Sequence, residues 1–181
     1  MLALAAPAVA QAPKAPKDAS LYISAAQFEH IMQSAPVSKE TGKPGSFSSR
    51  LFDGGTFSTA FIRLEKPDQP HAHGIWSEVF VVKQGSGTLT TGGKITGTLS
   101  NNSATHGAIF TDTDGKQTQG QAAPPARKVQ PGDISGTAIE GGHDQKVSAG
   151  DVILIPAGVA HVWSAIDTPV VYLDIKFPKA E

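Results

Sequence analysis

Two histidines and a glutamate stand close together between residues 70 and 87. His71 and His73 are separated by one residue, and Glu78 comes just before the apolar run of residues 79–82. Side chains alternate between the faces of a β-strand, so on a strand the two imidazoles point the same way. The β-branched and aromatic run favours a strand over a helix. Two imidazoles and a carboxylate therefore converge, and burying them is costly unless they are paired or bind a cation.

A third histidine lies in a second stretch, residues 148–165. A turn at Gly150 leads into the apolar run of residues 152–155, and a corner at Pro156 and Gly158 then leads to His161. Three imidazoles and one carboxylate suit a divalent transition ion. The stretch therefore predicts the fourth member of a metal site.

The two stretches resemble the two motifs of the cupin superfamily, G-x5-H-x-H-x3,4-E-x6-G and G-x5-P-x-G-x2-H-x3-N. The matching positions are His71, His73, Glu78 and Gly85 in the first motif and Gly150, Pro156, Gly158 and His161 in the second. Glu65 stands in place of the first glycine and Ala165 in place of the final asparagine, and neither is a ligand position. The resemblance covers roughly residues 57 to 177.

This resemblance implies an all-β fold, a cupin-type antiparallel jelly-roll β-barrel, with a short N-terminal helix. It implies one divalent transition metal, Fe, Mn, Zn, Ni, Co or Cu, held by His71, His73, Glu78 and His161. Glu78 is also the candidate catalytic residue. Four protein ligands leave an octahedral ion two open positions, as a catalytic site requires. In the alternative interpretation these residues only satisfy one another, as in cupins that bind sugars without metal.

Four aromatic residues are candidate walls of a substrate pocket: Phe61, Trp76, Phe80 and Trp163. Ordinary barrel core explains them equally well. As pocket residues they would favour a small aromatic or apolar substrate.

The main hypothesis is an exported, mononuclear metal-dependent enzyme, an oxygenase or a lyase acting on a small organic molecule. Oxygen-dependent chemistry ranks slightly higher because two metal positions are open and the lining reads as apolar. Near the motifs, the sequence has no second carboxylate that would form the acid/base pair of a decarboxylase. The alternatives are a non-catalytic, metal-containing cupin that binds a small ligand, and a structural or storage protein.

Composition and the chain start set the remaining expectations. The 181 residues carry a net charge of -1 and no cysteine, so nucleic acid is not an expected partner and disulfides are excluded. Residues 1–12 read as the remnant of a signal peptide, or alternatively as a disordered tail, and are too short to span a membrane. Residues 13–22 read as a linker and residues 23–181 as the cupin domain. The expected location is periplasmic or secreted.

Three further predictions concern the scaffold. A helix begins after Ser24 and has Phe28, Ile31 and Met32 on its apolar face. Residues 90–131 form a long inserted loop with a possible hairpin at 108–111, either a lid that brings His106 to the site or a mobile surface loop. The exposed strand edges of such small barrels are commonly hidden by pairing, so we predict a homodimer.

The last strand, residues 169–177, alternates between two sets of side chains. Val171, Leu173, Ile175 and Phe177 are predicted to face the core. Tyr172, Asp174 and Lys176 are predicted to lie outside or at an interface.

Overall fold

The computed structural model describes residues 20, 22–33, 46–53, 57–97, 108–111, 117–119 and 133–179. The predicted signal segment, most of the linker and His106 lie outside these residues, so the structure does not bear on them.

One helix and twelve strands make up the described part of the chain. They are α1 (Ala25–Gln33), β1 (Phe47–Asp53), β2 (Ser58–Leu64), β3 (His71–Ala72), β4 (Trp76–Thr91), β5 (Lys94–Thr96), β6 (Ala108–Thr111), β7 (Gln117–Gln119), β8 (Ile134–Ser135), β9 (Ala138–Glu140), β10 (His143–Ser148), β11 (Val152–Ile155) and β12 (His161–Pro178).

The strands build the predicted antiparallel jelly roll. The main sheet runs β10-β4-β12-β2-β1-β6-β7, with β11 beside β4 and the short β3 between β12 and β8. β5 and β9 pair separately. All pairs are antiparallel except β1 with β6. The two long strands β4 and β12 pair along most of their length and form the centre of the fold.

The helix forms where the sequence predicts it. Ser24 Oγ accepts a hydrogen bond from Gln27 N at 3.1 Å, and Gln27 Oε1 accepts one from Ser24 N at 2.9 Å, which is a capping box. Ile31 is buried, and Phe28 and Met32 pack beside it. This apolar face covers one side of the sheet, so the helix lies on the outside of the jelly roll.

Two apolar clusters lie on opposite faces of the main sheet. The inner core comprises Ile62, Leu64, Phe80, Val82, Leu89, Val147, Ile155, Trp163, Val170 and Tyr172. The outer core, under α1, comprises Ile31, Phe47, Leu51, Phe61 and Val171. Adjacent strand residues thus contribute to opposite clusters, as the alternation of side chains requires.

The predicted facing of the last strand is wrong. Tyr172 and Asp174 are each 3 % exposed on the inner side, and Lys176 reaches inward beside Glu78. Val171 is also buried, but in the outer core, and Phe177 is 36 % exposed. The prediction assumed that the apolar face is the inner one. Here the inner face carries polar residues because it holds the candidate site.

The predicted insert contains more structure than a loop. β4 continues to Thr91, and β5 follows at Lys94–Thr96. Residues 108–111, where a hairpin was suggested, form the single strand β6, which pairs with β7 at Gln117–Gln119. Among the described residues, no helix has the length and hydropathy needed to cross a bilayer.

Candidate metal centre

Strand pairing brings the four predicted ligands together. His161 at the start of β12 is the antiparallel partner of His71 in β3, and their ring centroids are 4.2 Å apart. Glu78 comes from β4. The corner before His161 is fixed to the first motif, because Gly158 N donates to His73 O at 2.8 Å. Gly158 has a φ of +84°, a conformation that a residue with a Cβ rarely adopts, which explains the glycine in the motif.

The side chains form a compact, largely buried set. One ligand nitrogen from each of His71, His73 and His161 lies within 4.8 Å of the others. Glu78 Oε2 is 3.0 Å from His161 Nε2, and Glu78 Oε1 is 3.6 Å from His73 Nε2. Glu78, His73 and His161 are buried, whereas His71 is partly exposed.

Each imidazole is oriented by an oxygen near its Nδ1 atom. His71 Nδ1 is 2.7 Å from Gln69 O, and His161 Nδ1 is 3.0 Å from Val159 O. His73 Nδ1 lies 3.5 Å from Asp133 Oδ1, which also accepts from Gly74 N. An oxygen at Nδ1 favours the proton there and leaves Nε2 as the lone-pair atom, the usual arrangement around a metal-binding histidine.

The residues present fit a divalent cation. Glu78 Oε2 and His161 Nε2 are buried and lie 3.0 Å apart, and neither has another polar partner among the described residues. Buried polar atoms with incomplete partners are costly. Three imidazole nitrogens and one carboxylate are the donors of a transition-metal site, and an ion bound by them would satisfy both atoms.

Burial and charge set the protonation of the cluster. Burial, together with the neighbouring His161 and His73, holds the pKa of His71 well below its usual value. Burial and the Lys176 ammonium lower the pKa of His73 to about 4. Burial acts to raise the pKa of Glu78, but Lys176 and His161 hold it well below its usual value. His71 and His73 are thus neutral and Glu78 is ionised near neutral pH, as metal binding requires. Burial acts to lower the pKa of His161, but the Glu78 carboxylate raises it above its usual value, so a metal ion must displace a proton from this histidine.

Sequence reasoning missed Lys176, which enters the centre from β12. Its Nζ lies 2.6 Å from Glu78 Oε1 and 2.8 Å from His73 Nε2. Asp174 Oδ2 is 3.5 Å from the same nitrogen. The available signal was the alternation of Tyr172, Asp174 and Lys176 along one face of the last strand. That face was assigned to the outside because it is polar.

Buried carboxylates also occur near the motifs in space, contrary to the reading from sequence. Asp133 contacts His73, and Asp174 contacts Lys176. Asp68 Oδ1 accepts from Trp163 N at 2.8 Å. Burial raises the pKa of Asp68 and of Asp174 to about 7. Asp174 is far from Glu78 in sequence, and Asp68 lies at a variable position within the first motif, so motif spacing could not reveal either of them.

The four candidate pocket residues do not share one environment. The Phe80 ring centroid is 6.0 Å from that of His161, and Trp163 packs on Tyr172 at 5.7 Å in the inner core. Trp76 is partly exposed at the start of β4, opposite Pro178. Phe61 lies in the outer core under α1. Its side chain is on the opposite face of β2 from Ile62, which belongs to the inner core.

Comparison with known protein families shows which family the chain belongs to. The Cupin family profile matches residues 57–175, which is most of the chain. The chain belongs to the cupin family. The match spans both motifs and all four candidate ligands. No curated protein matches the sequence.

Solved structures similar to this cupin are distant in sequence. BH2720 from Bacillus halodurans is 12% identical, with a TM-score of 0.45, over 92% of this chain and 88% of the other. A Klebsiella pneumoniae protein with a double-stranded β-helix domain is 10% identical, with a TM-score of 0.46, over 82% and 86%. KdgF from Halomonas sp. is 14% identical, with a TM-score of 0.41, over 76% and 84%. All three scores are below 0.5, so the family assignment rests on the sequence match.

Proposed function

We propose that this cupin is a mononuclear metal-dependent enzyme that acts on a small organic molecule. One observation carries the proposal. Three imidazoles, each with its Nδ1 near an oxygen, and one ionised carboxylate converge at two buried atoms, Glu78 Oε2 and His161 Nε2, that have no polar partner but each other among the described residues. His71, His73, Glu78 and His161 would hold the ion.

A divalent ion bound there would polarise a coordinated oxygen atom and lower the pKa of a coordinated water. Glu78 would supply the negative ligand, and the three histidines would bind as neutral imidazoles, which for His161 requires the loss of a proton that Glu78 stabilises. Asp133 would keep the His73 ring in place through its contact with Nδ1. Phe80 and Trp163 would limit water on the inner side, since both are buried there.

The polar residues of the inner face favour proton transfer over oxygen chemistry. The apolar lining was the ground for ranking oxygenase first, and Lys176 and Asp174 remove that ground. Asp174 is buried, and its Oδ1 has no hydrogen-bond partner within the part of the chain that the structure describes. A carboxylate in that position can accept a proton from a bound molecule. We therefore rank a redox-neutral reaction, of the lyase type, above an oxygenase reaction.

The experiment is a substrate screen with metal-stripped and metal-reloaded protein, in air and without oxygen. The screen contains small hydroxy and keto acids for the lyase reaction, and enediol, diketone and phenolic compounds for the oxygenase reaction. We expect turnover that requires the metal and continues without oxygen. Oxygen consumption by the iron- or manganese-loaded protein would instead support the oxygenase. Binding of ligands without turnover of any of them would support the non-catalytic alternative.

Two expectations from the sequence are kept as proposals. The protein is exported to the periplasm or secreted, and it forms a homodimer. Mass spectrometry of the mature protein tests the first by locating the start of the chain. Light scattering tests the second, and a monomer would contradict it.

A further inference from the structure

Lys176 is the cationic residue closest to the candidate ligands. Its side chain is only 13 % exposed, and its Nζ contacts Glu78 Oε1 and His73 Nε2 at 2.6 and 2.8 Å. Lys176 is the direct cross-strand partner of Glu78 in the β12–β4 pair, so the backbone fixes this approach. The lysine is therefore part of the centre.

The ammonium and a bound metal ion would compete for the same acceptors. The lone pair of His73 Nε2 can serve a proton donor or a metal ion, but not both. Two neighbouring positive charges also repel each other strongly in a buried site. When an ion binds, Lys176 must therefore lose its contact with His73 Nε2, and both the ammonium and the ion would contact Glu78. Asp174 Oδ2, which lies 3.5 Å from Lys176 Nζ, remains available to the ammonium.

Metal binding also adds positive charge to the inner face. Without metal, the Lys176 ammonium faces the carboxyl groups of Glu78 and Asp174, and the Asp133 carboxyl lies beside His73 Nδ1. A divalent ion would place two more positive charges directly beside this ammonium. Two buried positive centres repel each other, so an anion that bridges them would be stabilised there.

We propose that Lys176 binds the carboxylate of a small organic acid beside the metal ion and so determines the substrate class. A carboxylate has two oxygens, one for the ammonium and one for the ion, and it carries the negative charge that both positive centres attract. This inference rests on the proposed function, because it places the substrate at the same metal site.

The test is calorimetric binding to zinc-loaded protein, since zinc is redox-inert and the measurement does not depend on turnover. The ligands are acetate and benzoate, each compared with its uncharged amide, acetamide or benzamide. The proteins are the wild type, Lys176→Met and Lys176→Gln, with zinc content measured in each. Lys146→Met is the matched control, because Lys146 is 74 % exposed on β10, and its ion pair is with the exposed Asp167.

We expect the wild type and Lys146→Met to bind at least one carboxylate about tenfold or more tightly than its amide, since a charge-assisted hydrogen bond is lost with the amide. Both Lys176 variants should lose that preference while keeping their zinc. An unchanged preference in a zinc-containing Lys176 variant overturns the proposal, as does equal binding of acids and amides by the wild type. Lys176-dependent carboxylate binding without turnover of any acid would contradict the enzyme but leave the carboxylate site standing.

Discussion

Lys176 and Glu78 are opposite residues of the β12–β4 pair, and 2.6 Å separates the ammonium nitrogen from Glu78 Oε1. The same nitrogen lies 2.8 Å from His73 Nε2. A positive charge thus occupies part of the ligand set of the candidate metal centre. This shows that the set attracts a cation, and it makes the lysine a competitor of the metal.

Replacing Lys176 by Met should strengthen metal binding and weaken the metal-free fold. Zinc affinity should rise because His73 Nε2 and Glu78 Oε1 no longer have a competing donor. Without metal, the buried Glu78 carboxylate loses its ammonium partner, a change that typically costs about 3–5 kcal/mol. A zinc titration against a chelator and urea unfolding in chelator measure the two effects. An unchanged zinc affinity would refute the competition, and Lys146→Met should change neither value.

Removing two ligands together should abolish metal binding. In the His71→Ala/His161→Ala variant, metal content after reloading should fall from about one ion per chain to near zero, because only His73 and Glu78 remain. Metal should raise the melting temperature of the wild type but not of this variant. The control is His143→Ala, since His143 is exposed on β10. Full metal content in the double variant would show that the ion binds elsewhere.

Asp133 should matter for metal affinity although it is not a ligand. In Asp133→Asn the amide oxygen can still accept from Gly74 N, but the charge beside His73 Nδ1 is lost. Loss of such a support for a metal-binding histidine typically weakens binding about 10–100-fold. The measurement is again the zinc titration, with the exposed Asp167→Asn as control. Equal affinities would mean that the 3.5 Å contact does not orient the ring.

The sequence allowed the fold, the helix and the convergence of His71, His73 and His161 to be predicted. Strand alternation and a capping residue are local properties that indicate the strands and the helix. The convergence of His161 with the other two histidines followed from the resemblance to the two cupin motifs. Contacts between distant strands are not local. The approach of Lys176 to Glu78 depends on the register of β12 against β4, which no spacing within either strand determines.

The sequence could not show which face of the sheet a side chain lies on where both faces of its strand are covered. Phe61 and Val171 read as residues of a single core, but they lie under α1, on the opposite face from the candidate site. The inner face is partly polar because it holds charged groups, so the rule that the apolar side faces inward failed at Tyr172, Asp174 and Lys176. Asp68 and Asp133 enter the centre from connecting segments, where periodicity gives no signal.

Asp68 gives a test of the pH dependence of stability. Burial raises its pKa from 3.8 to about 7, so between these values the folded state holds a proton that the unfolded state has lost. The stability that this group contributes is complete below about pH 3.8 and is lost as the pH rises through about 7. Asn in its place can still accept from Trp163 N but does not titrate.

The free energy of unfolding of Asp68→Asn, relative to the wild type, should therefore increase between about pH 4 and about pH 7. Urea unfolding of both metal-free proteins across this range is the measurement. A difference that stays constant with pH would show that Asp68 titrates at its ordinary value in the folded protein.

The most direct test of the metal centre is a crystal structure of the metal-loaded protein with anomalous diffraction recorded at the absorption edge of the metal. We predict one anomalous peak per chain, about 2.0–2.2 Å from the nitrogens of His71, His73 and His161 and from an oxygen of Glu78. Lys176 Nζ should then lie farther from His73 Nε2 than the present 2.8 Å. A peak that none of these residues contacts, or no peak in protein shown to contain stoichiometric metal, would contradict the account.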